Sequence, residues 1–518
     1  MQLQPHQNLQ NKEIPMKKTL CLILAALMLS SSFVSCSDNK AENTPDDTTA
    51  APIAGETSAS AGETVETEPA ITDDLPEVTF GGADYVIYNT NPDTNTWFTT
   101  TFVTFEEDTV EPIPSAIFYR NLAVEDRFDV RISEMYSAAG DVKSVIQAGS
   151  GEGMDMLLLD GSDGISFIQQ KFVYDLNTME NINFDKPYWD QNARQYLSLG
   201  GKLFSGIGDF MTTHIDETVC MYFNKGLIDN YQLENPYELV DGFKWTYDKL
   251  GEMGAKVSND TNGDGNMDDQ DSWALMSWRG VLYPFLVYGS GESYMKKDEN
   301  DSPYMSFYGD RFISAFEKIT SIAHSGGDTF TYDADMKSNT MGLSNNHRVQ
   351  EIMFPNNQVL FWVECVSWAR ALREMETDFG IITAPMLEES QQKYYNYCNG
   401  NFYSIHLPVT LVNETLERST IITEALNSHS TDTVLKAYYD VSLTTKYSRD
   451  EETGRMLDLI FDNLVYDVSI VYDIASVNSS LYTMASENKT DVASYAKKNQ
   501  KMMTKNIEKL MKEITSEE

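Results

Sequence analysis

The apolar and polar positions of this chain switch between two periods. Residues 154–159 form a mainly apolar run, the pattern of a strand buried on both faces of a parallel sheet. Residues 83–88, after the Gly81-Gly82 turn, and residues 130–132 read as further short strands. Residues 114–128 predict a helix in which Ile117, Val124 and Phe128 share one side with Leu122 alongside, proline being tolerated in its first turn. Residues 141–147 read as a second helix. Asp160-Gly161-Ser162-Asp163-Gly164 reads as a turn, after which residues 165–170 open a third helix. Strand, helix, strand, helix with short turns predicts an α/β fold, a parallel sheet covered on both faces. Near the end, Val492, Tyr495, Ala496, Ile507, Leu510, Met511 and Ile514 fall at helical spacing, which predicts a helix docked on the body. The globular pattern starts near residue 76. The remaining roughly 440 residues exceed what one core organises, so two lobes are expected.

The N-terminal pattern is different. Met16-Lys17-Lys18 is positive, residues 20–29 are apolar, and residues 30–35 are small and polar apart from Phe33 and Val34. That succession is a secretion signal, and its apolar run of about ten residues is short of the roughly twenty that span a bilayer. Residues 1–15 are polar, which makes Met16 the expected start. The run ends on Cys36, and this resembles a bacterial lipoprotein signal, with Cys36 as the lipidated first residue, although Phe33-Val34-Ser35 departs from the usual Leu-Ala-Gly. Residues 36–75 are mostly Thr, Ser, Ala, Pro, Glu and Asp and predict a solvated tether.

Charge narrows the choice of partners. A formal net charge of −41 argues against nucleic acid, which needs Lys/Arg patches, and against anionic lipid on the folded surface. Cysteines 21 and 36 belong to the signal. Cys220, Cys365 and Cys398 are scattered without metal-ligand spacing, so no disulfide framework is expected, with one bridge among the three left open.

Residues 260–271 (Asp-Thr-Asn-Gly-Asp-Gly-Asn-Met-Asp-Asp-Gln-Asp) match a twelve-residue calcium loop. Asp260, Asn262, Asp264, Asp268 and Asp271 stand at positions 1, 3, 5, 9 and 12, and Gly265 stands at 6. Alternate side chains of a tightly wound loop converge on one hard cation, and Asn266 would add its carbonyl. Position 12 is Asp where Glu is usual. No second such loop is present, so Ca2+ is expected as a structural staple. No nucleophile elbow, His-Glu-x-x-His or phosphate loop is found. His214 has Glu217 nearby, a weak pair. Glycosidase chemistry needs only two placed carboxylates, so the motif search leaves it open.

Aromatic residues make up 11% of the chain, with seven Trp. Trp278 follows an apolar run, and Trp362, Glu364 and Trp368 follow another. These are predicted strand ends, where open α/β sheets place ligands. Trp189 and Trp245 read as structural.

Several stretches then resemble one family. They are Asp185-Lys186-Pro187-Tyr188-Trp189-Asp190, Leu199-Gly200-Gly201-Lys202-Leu203-Phe204, Met221-Tyr222-Phe223-Asn224-Lys225, Asn235-Pro236-Tyr237-Glu238-Leu239, Lys244-Trp245-Thr246, and the acidic loop running into Ser272-Trp273-Ala274-Leu275. Together with Asp378-Phe379-Gly380-Ile381 they resemble the sugar-type extracellular solute-binding proteins of bacterial ABC importers. The resemblance implies a type II periplasmic-binding-protein fold, in which two α/β lobes close on a ligand by hinge motion. Lobe 1 would hold residues 76–206 and about 400–460, and lobe 2 would hold 207–399 and about 461–518. It also implies a cleft lined by Asp160, Gly161, Trp278, Glu364, Trp368 and Tyr403, with Phe402 and Tyr403 near a crossing strand. The implied function is monomeric, non-enzymatic capture of a carbohydrate for delivery to permease subunits. The alternatives are another polar solute or a peptide, a glycan-degrading enzyme, or an adhesin.

Overall fold

In the computed structural model, a four-stranded sheet and a five-stranded sheet each carry helices on their faces. The structure describes residues 72–90, 102–151, 153–332, 349–439 and 451–516. The signal segment, Cys36 and nearly all of the tether lie outside the described residues. Among those described, no helix is long and apolar enough to cross a membrane.

The first sheet contains β1 (Ala83–Asn89), β2 (Val130–Tyr136), β3 (Met156–Asp160) and, much later in the chain, β12 (Tyr403–His406). Its order is β12-β3-β1-β2, with β1 parallel to both neighbours and β12 antiparallel to β3. Met156, Leu157, Leu158 and Leu159 are all fully buried, as a parallel strand covered on both faces requires. The helix Pro112–Phe128 starts two residues before the predicted point, on a proline whose missing N–H costs nothing there. It buries Ile113, Ile117, Val124 and Phe128. Leu122 is 40% exposed, so the expected stripe is narrower than the sequence suggested. Its place on the buried side is taken by Arg120 and Asn121. The Arg120 guanidinium donates to the carbonyls of Val103 and Phe210 and to Asn121 Oδ1.

The second sheet is built from β4 (Val219–Asn224), β5 (Trp273–Ser277), β8 (Thr329–Thr331), β9 (Val359–Cys365) and β10 (Phe379–Ile382). The order is β10-β4-β9-β5-β8. Strands β5, β8 and β9 are parallel, and β4 is antiparallel to β9 and β10. Every residue of β4, β5 and β9 is buried. Trp189 and Trp245 are buried too, as the sequence predicted. A separate antiparallel hairpin pairs β6 (Met295–Lys297) with β7 (Pro303–Met305).

The connections between the sheets make the hinge. Gly206 pairs with Ile405 and Thr218 pairs with Cys398, so two antiparallel segments run side by side from one sheet to the other. A further link pairs β11 (Asn396–Tyr397) with β13 (Leu464–Val465). The helix Glu414–Ser430 packs on Pro112–Phe128 in the first lobe, but Glu451–Asp462 packs on β10 of the second. The C-terminal helix Val492–Thr515 forms as predicted and touches both lobes, Gly161–Gln169 on one side and β7 on the other. Cys220, Cys365 and Cys398 are buried free thiols, with no bridge among them.

Candidate functional site

Parallel strands end at the same edge, and in the second lobe that edge gathers residues distant in sequence. Met276 pairs with Trp362, and Ser277 pairs with Thr331, which puts Trp278, Tyr332 and Glu364 side by side. Tyr332 Oη donates to Glu364 Oε2 at 2.6 Å. Because β4 is antiparallel, its first residues meet the same edge, with Cys220 opposite Glu364. Glu217, two residues earlier, lies in the hinge beside Cys365, whose thiol points at Glu217 Oε2 at 3.8 Å. Its neighbour Asp216 joins three parts of the fold, accepting from Arg370 at 3.3 Å and from Tyr438 Oη at 2.5 Å. The Asn399 N–H donates to the Glu217 carbonyl, tying the second crossing segment to the first.

The predicted residues divide sharply in this setting. Trp278 is 37% exposed, and its ring lies over Gly280, where a Cβ would come within 3.1 Å of the ring carbons. Part of the ring is thus at the surface, as a stacking contact requires. Trp368 is only 6% exposed and packs edge-on against Trp362 with ring centres 5.7 Å apart, which makes it a wall rather than a platform. Glu364 is buried, and its own following amide, Cys365 N–H, donates to Oε1.

In the first lobe Asp160 and Tyr403 are paired across β3 and β12. Asp160 is not part of a turn as expected. It is the N-cap of the helix Gly161–Gln169, accepting from the Asp163 N–H at 2.8 Å and from Ser162 Oγ. Asx-Gly runs favour turns and helix starts for the same reason, a short side chain that satisfies nearby amides. Gly161 is buried beneath the carbonyl of Val471, which a Cβ would approach to 2.1 Å. Its place is a close chain crossing. That crossing brings the segment 468–476 against the edge of the first sheet, where Tyr472 Oη and Ser205 Oγ are 2.9 Å apart. Asp473, Ala475 and Ser476 all take positive φ there (44°, 56° and 51°), a costly backbone for residues with a Cβ.

The sequence missed Asp216, Tyr332, Arg370 and Tyr438 and noticed Glu217 only as a neighbour of His214. Their partners lie far along the chain, so no local spacing marks them.

Burial dominates the electrostatics of this edge. It pushes Glu217 up to about 8, with Asp216 and Glu364 adding repulsion. Glu364 is pushed to about 7 against the opposing bond from Tyr332, and Asp216 to about 6 against Arg370 and Tyr438. An unfolded chain titrates its glutamates near 4.5. Between that value and 7 to 8 the folded state therefore holds more protons. The stability these groups contribute is complete below about 4.5 and is lost as pH rises through 7 and 8. Each withdraws about 1.4 kcal/mol per pH unit across its window. Melting temperatures of wild type and Glu217→Gln should therefore diverge, the wild type falling more steeply from pH 5 to pH 8. Parallel curves would show that Glu217 is ionised in the folded chain.

The 260–271 loop is closed by paired Asn259 and Ser272. Asp260 takes the amides of Gly263 and Gly265 on its two oxygens, and buried Asp271 takes those of Thr261 and Asp268. Among the described residues no group of three or more His, Cys, Asp or Glu is gathered as a metal site.

No protein-family profile matches the chain, and no curated protein matches its sequence. Solved structures do match. UgpB from Mycobacterium tuberculosis in complex with glycerophosphocholine is 14% identical, with a TM-score of 0.52 over 83% of this chain and 99% of that one. UspC of M. tuberculosis is 11% identical, with a TM-score of 0.52 over 82% and 100%. A cyclo/maltodextrin-binding protein complexed with maltotetraose is 11% identical, with a TM-score of 0.51 over 83% and 97%. At these identities the likeness speaks to architecture, and on it, with the two sheets and their paired crossing segments, the chain has the two-lobed periplasmic-binding-protein fold.

Proposed function

We propose that this protein is an extracellular, lipid-anchored receptor that captures a carbohydrate between its lobes and passes it to an ABC permease. The observation that carries the reading is the strand edge of the second lobe. There a part-exposed tryptophan, buried carboxyls and a guanidinium gather next to a hinge of hydrogen-bonded crossing segments. Flat rings suit the apolar face of a pyranose, and carboxylate, phenol and guanidinium groups suit its hydroxyls. Maltotetraose in one structural neighbour supports a sugar, and glycerophosphocholine in another supports a second reading, a different polar solute in the same place. Cys36 and the tether after it support anchoring outside the cytoplasm.

A thermal-shift screen of the mature chain against oligosaccharides, glycerophosphodiesters and peptides tests this reading, with product formation followed in parallel. A ligand at 100 times its Kd adds about 2.7 kcal/mol. A shift from one glycan class without turnover is expected. Hydrolysis of that glycan would assign Glu217 and Glu364 to catalysis instead.

The same reading includes Ca2+ in the 260–271 loop. It is supported by the ligand spacing and by Gly265 at φ 86°, which winds the loop around Asp260. Calcium should raise the melting temperature and EGTA should reverse the rise, while Asp264→Ala should remove the response. An unchanged melt in EGTA would leave the loop as an ion-free turn closed by Asp271.

A further inference from the structure

The C-terminal helix Val492–Thr515 inverts the charge balance of the chain. Acidic residues outnumber Lys and Arg by 79 to 38 overall, yet this helix holds six lysines and two glutamates. The whole-chain charge speaks against anionic lipid only as an average. Salt screens exposed charges beyond about 8 Å at physiological ionic strength, so a facing surface responds to the groups nearest it.

The lysines are also ordered. At 3.6 residues per turn, Lys497, Lys498, Lys501, Lys505, Lys509 and Lys512 fall within an arc of about 120°. Val492, Ala496, Met503, Ile507, Leu510 and Ile514 are buried and centre on the opposite side, so the stripe points away from the body. All six lysines are exposed. Of the six, only Lys509 has an ion-pair partner among the described residues, Glu513 at 3.5 Å. Glu508 is the one acid inside the arc. A helix face that serves solubility alone does best by alternating Glu with Lys at i, i+4, which stabilises it. Here all four places of the i, i+4 row from Lys497 to Lys509 are lysine, a mutually repulsive arrangement that an opposing negative surface relieves. At the end of the helix Lys171 and Lys202 of the first lobe donate to the carbonyls of Ser516 and Ile514, at 3.3 and 3.1 Å, which adds positive charge there.

The borders of the stripe are apolar and aromatic. Met502 is 53% exposed on one side. On the other, a groove of about 280 Å³ between the helix and β7 is lined by Tyr304 and Tyr308, which stay 45% and 44% exposed. Ammonium heads on long apolar stems, flanked by tyrosine and methionine, suit a helix lying at a lipid headgroup layer. A bilayer is favoured over a soluble polyanion because the latter makes no use of Met502. The proposed anchor at Cys36, about 40 residues before the body, also keeps the body within reach of a membrane.

We propose that this helix face docks on a bilayer containing anionic phospholipid, with the lysines over the headgroups and Met502, Tyr304 and Tyr308 at their level. The surface goes beyond the receptor reading, because neither lobe closure nor a glycan at Trp278 enters it.

Flotation with phosphatidylcholine vesicles, with and without an equal part of phosphatidylglycerol, tests this on the mature chain carrying Cys36→Ser. Without that thiol the result does not depend on lipidation. The chain should bind the anionic vesicles at least tenfold more tightly than the neutral ones, and rising salt should release it. Combining Lys497→Gln, Lys501→Gln, Lys505→Gln and Lys512→Gln should weaken binding tenfold or more, since each lysine near an anionic surface is worth about fivefold. These side chains are exposed and without ion pairs, so the fold is expected to persist, and circular dichroism checks this. Equal binding to both vesicles, or binding to neither, overturns the inference. Undiminished binding by the combined variant overturns it as well. Retention by soluble polyphosphate but by neither vesicle would make the stripe a site for an anionic polymer instead.

Discussion

Trp278→Ala should lower affinity for the captured glycan by about thirtyfold, roughly 2 kcal/mol, while barely moving the melting temperature. Trp278 is the most exposed tryptophan at the strand edge, and its ring lies over Gly280. Removing a part-exposed ring takes away more stacking surface than core. Trp368→Ala is the control with the opposite signature. That ring is buried against Trp362, so its loss should cost about 3–5 kcal/mol of stability. Calorimetric binding and thermal melts on the two variants separate the roles. If Trp278→Ala unfolds early and binds normally, the ring belongs to the core and the platform assignment fails.

Gly161→Val should lose about 2–3 kcal/mol of stability and weaken ligand binding with it. The first added carbon would sit 2.1 Å from the Val471 carbonyl oxygen, and side-chain rotation cannot relieve a clash with main chain. The segment 468–476 would have to lift from the end of β3, breaking the Ser205–Tyr472 contact and shifting residues that already hold strained backbone. Urea melts at two or more ligand concentrations measure both effects. A variant with wild-type stability would mean that the crossing is loose and that the segment does not shape the first-lobe edge.

Much of this architecture can be read in the chain because it is local. The buried run at β3 and the helices at 112–128 and 492–515 follow from apolar spacing that tertiary packing only confirms. Leu122 was misplaced because the face it would share is filled by Arg120, a residue whose burial depends on carbonyls from distant segments. Gly161 was misread because a turn and a capped helix start use the same residues. What separates them here is the Val471 carbonyl, 310 positions downstream. The carboxyl cluster is the extreme case. Glu217 and Glu364 meet only because β4 runs antiparallel to β9, and nothing within either segment announces that pairing. Trp278 and Trp368 look alike in sequence, each following an apolar run, and only burial tells platform from wall.

The proposed capture requires the two lobes to close around a carbohydrate. Small-angle X-ray scattering of the mature chain, with and without the glycan that gives the largest thermal shift, tests it most directly. A smaller radius of gyration is expected on saturation, with no product released and with the response lost in Trp278→Ala at the same glycan concentration. An unchanged radius at saturating glycan would contradict it.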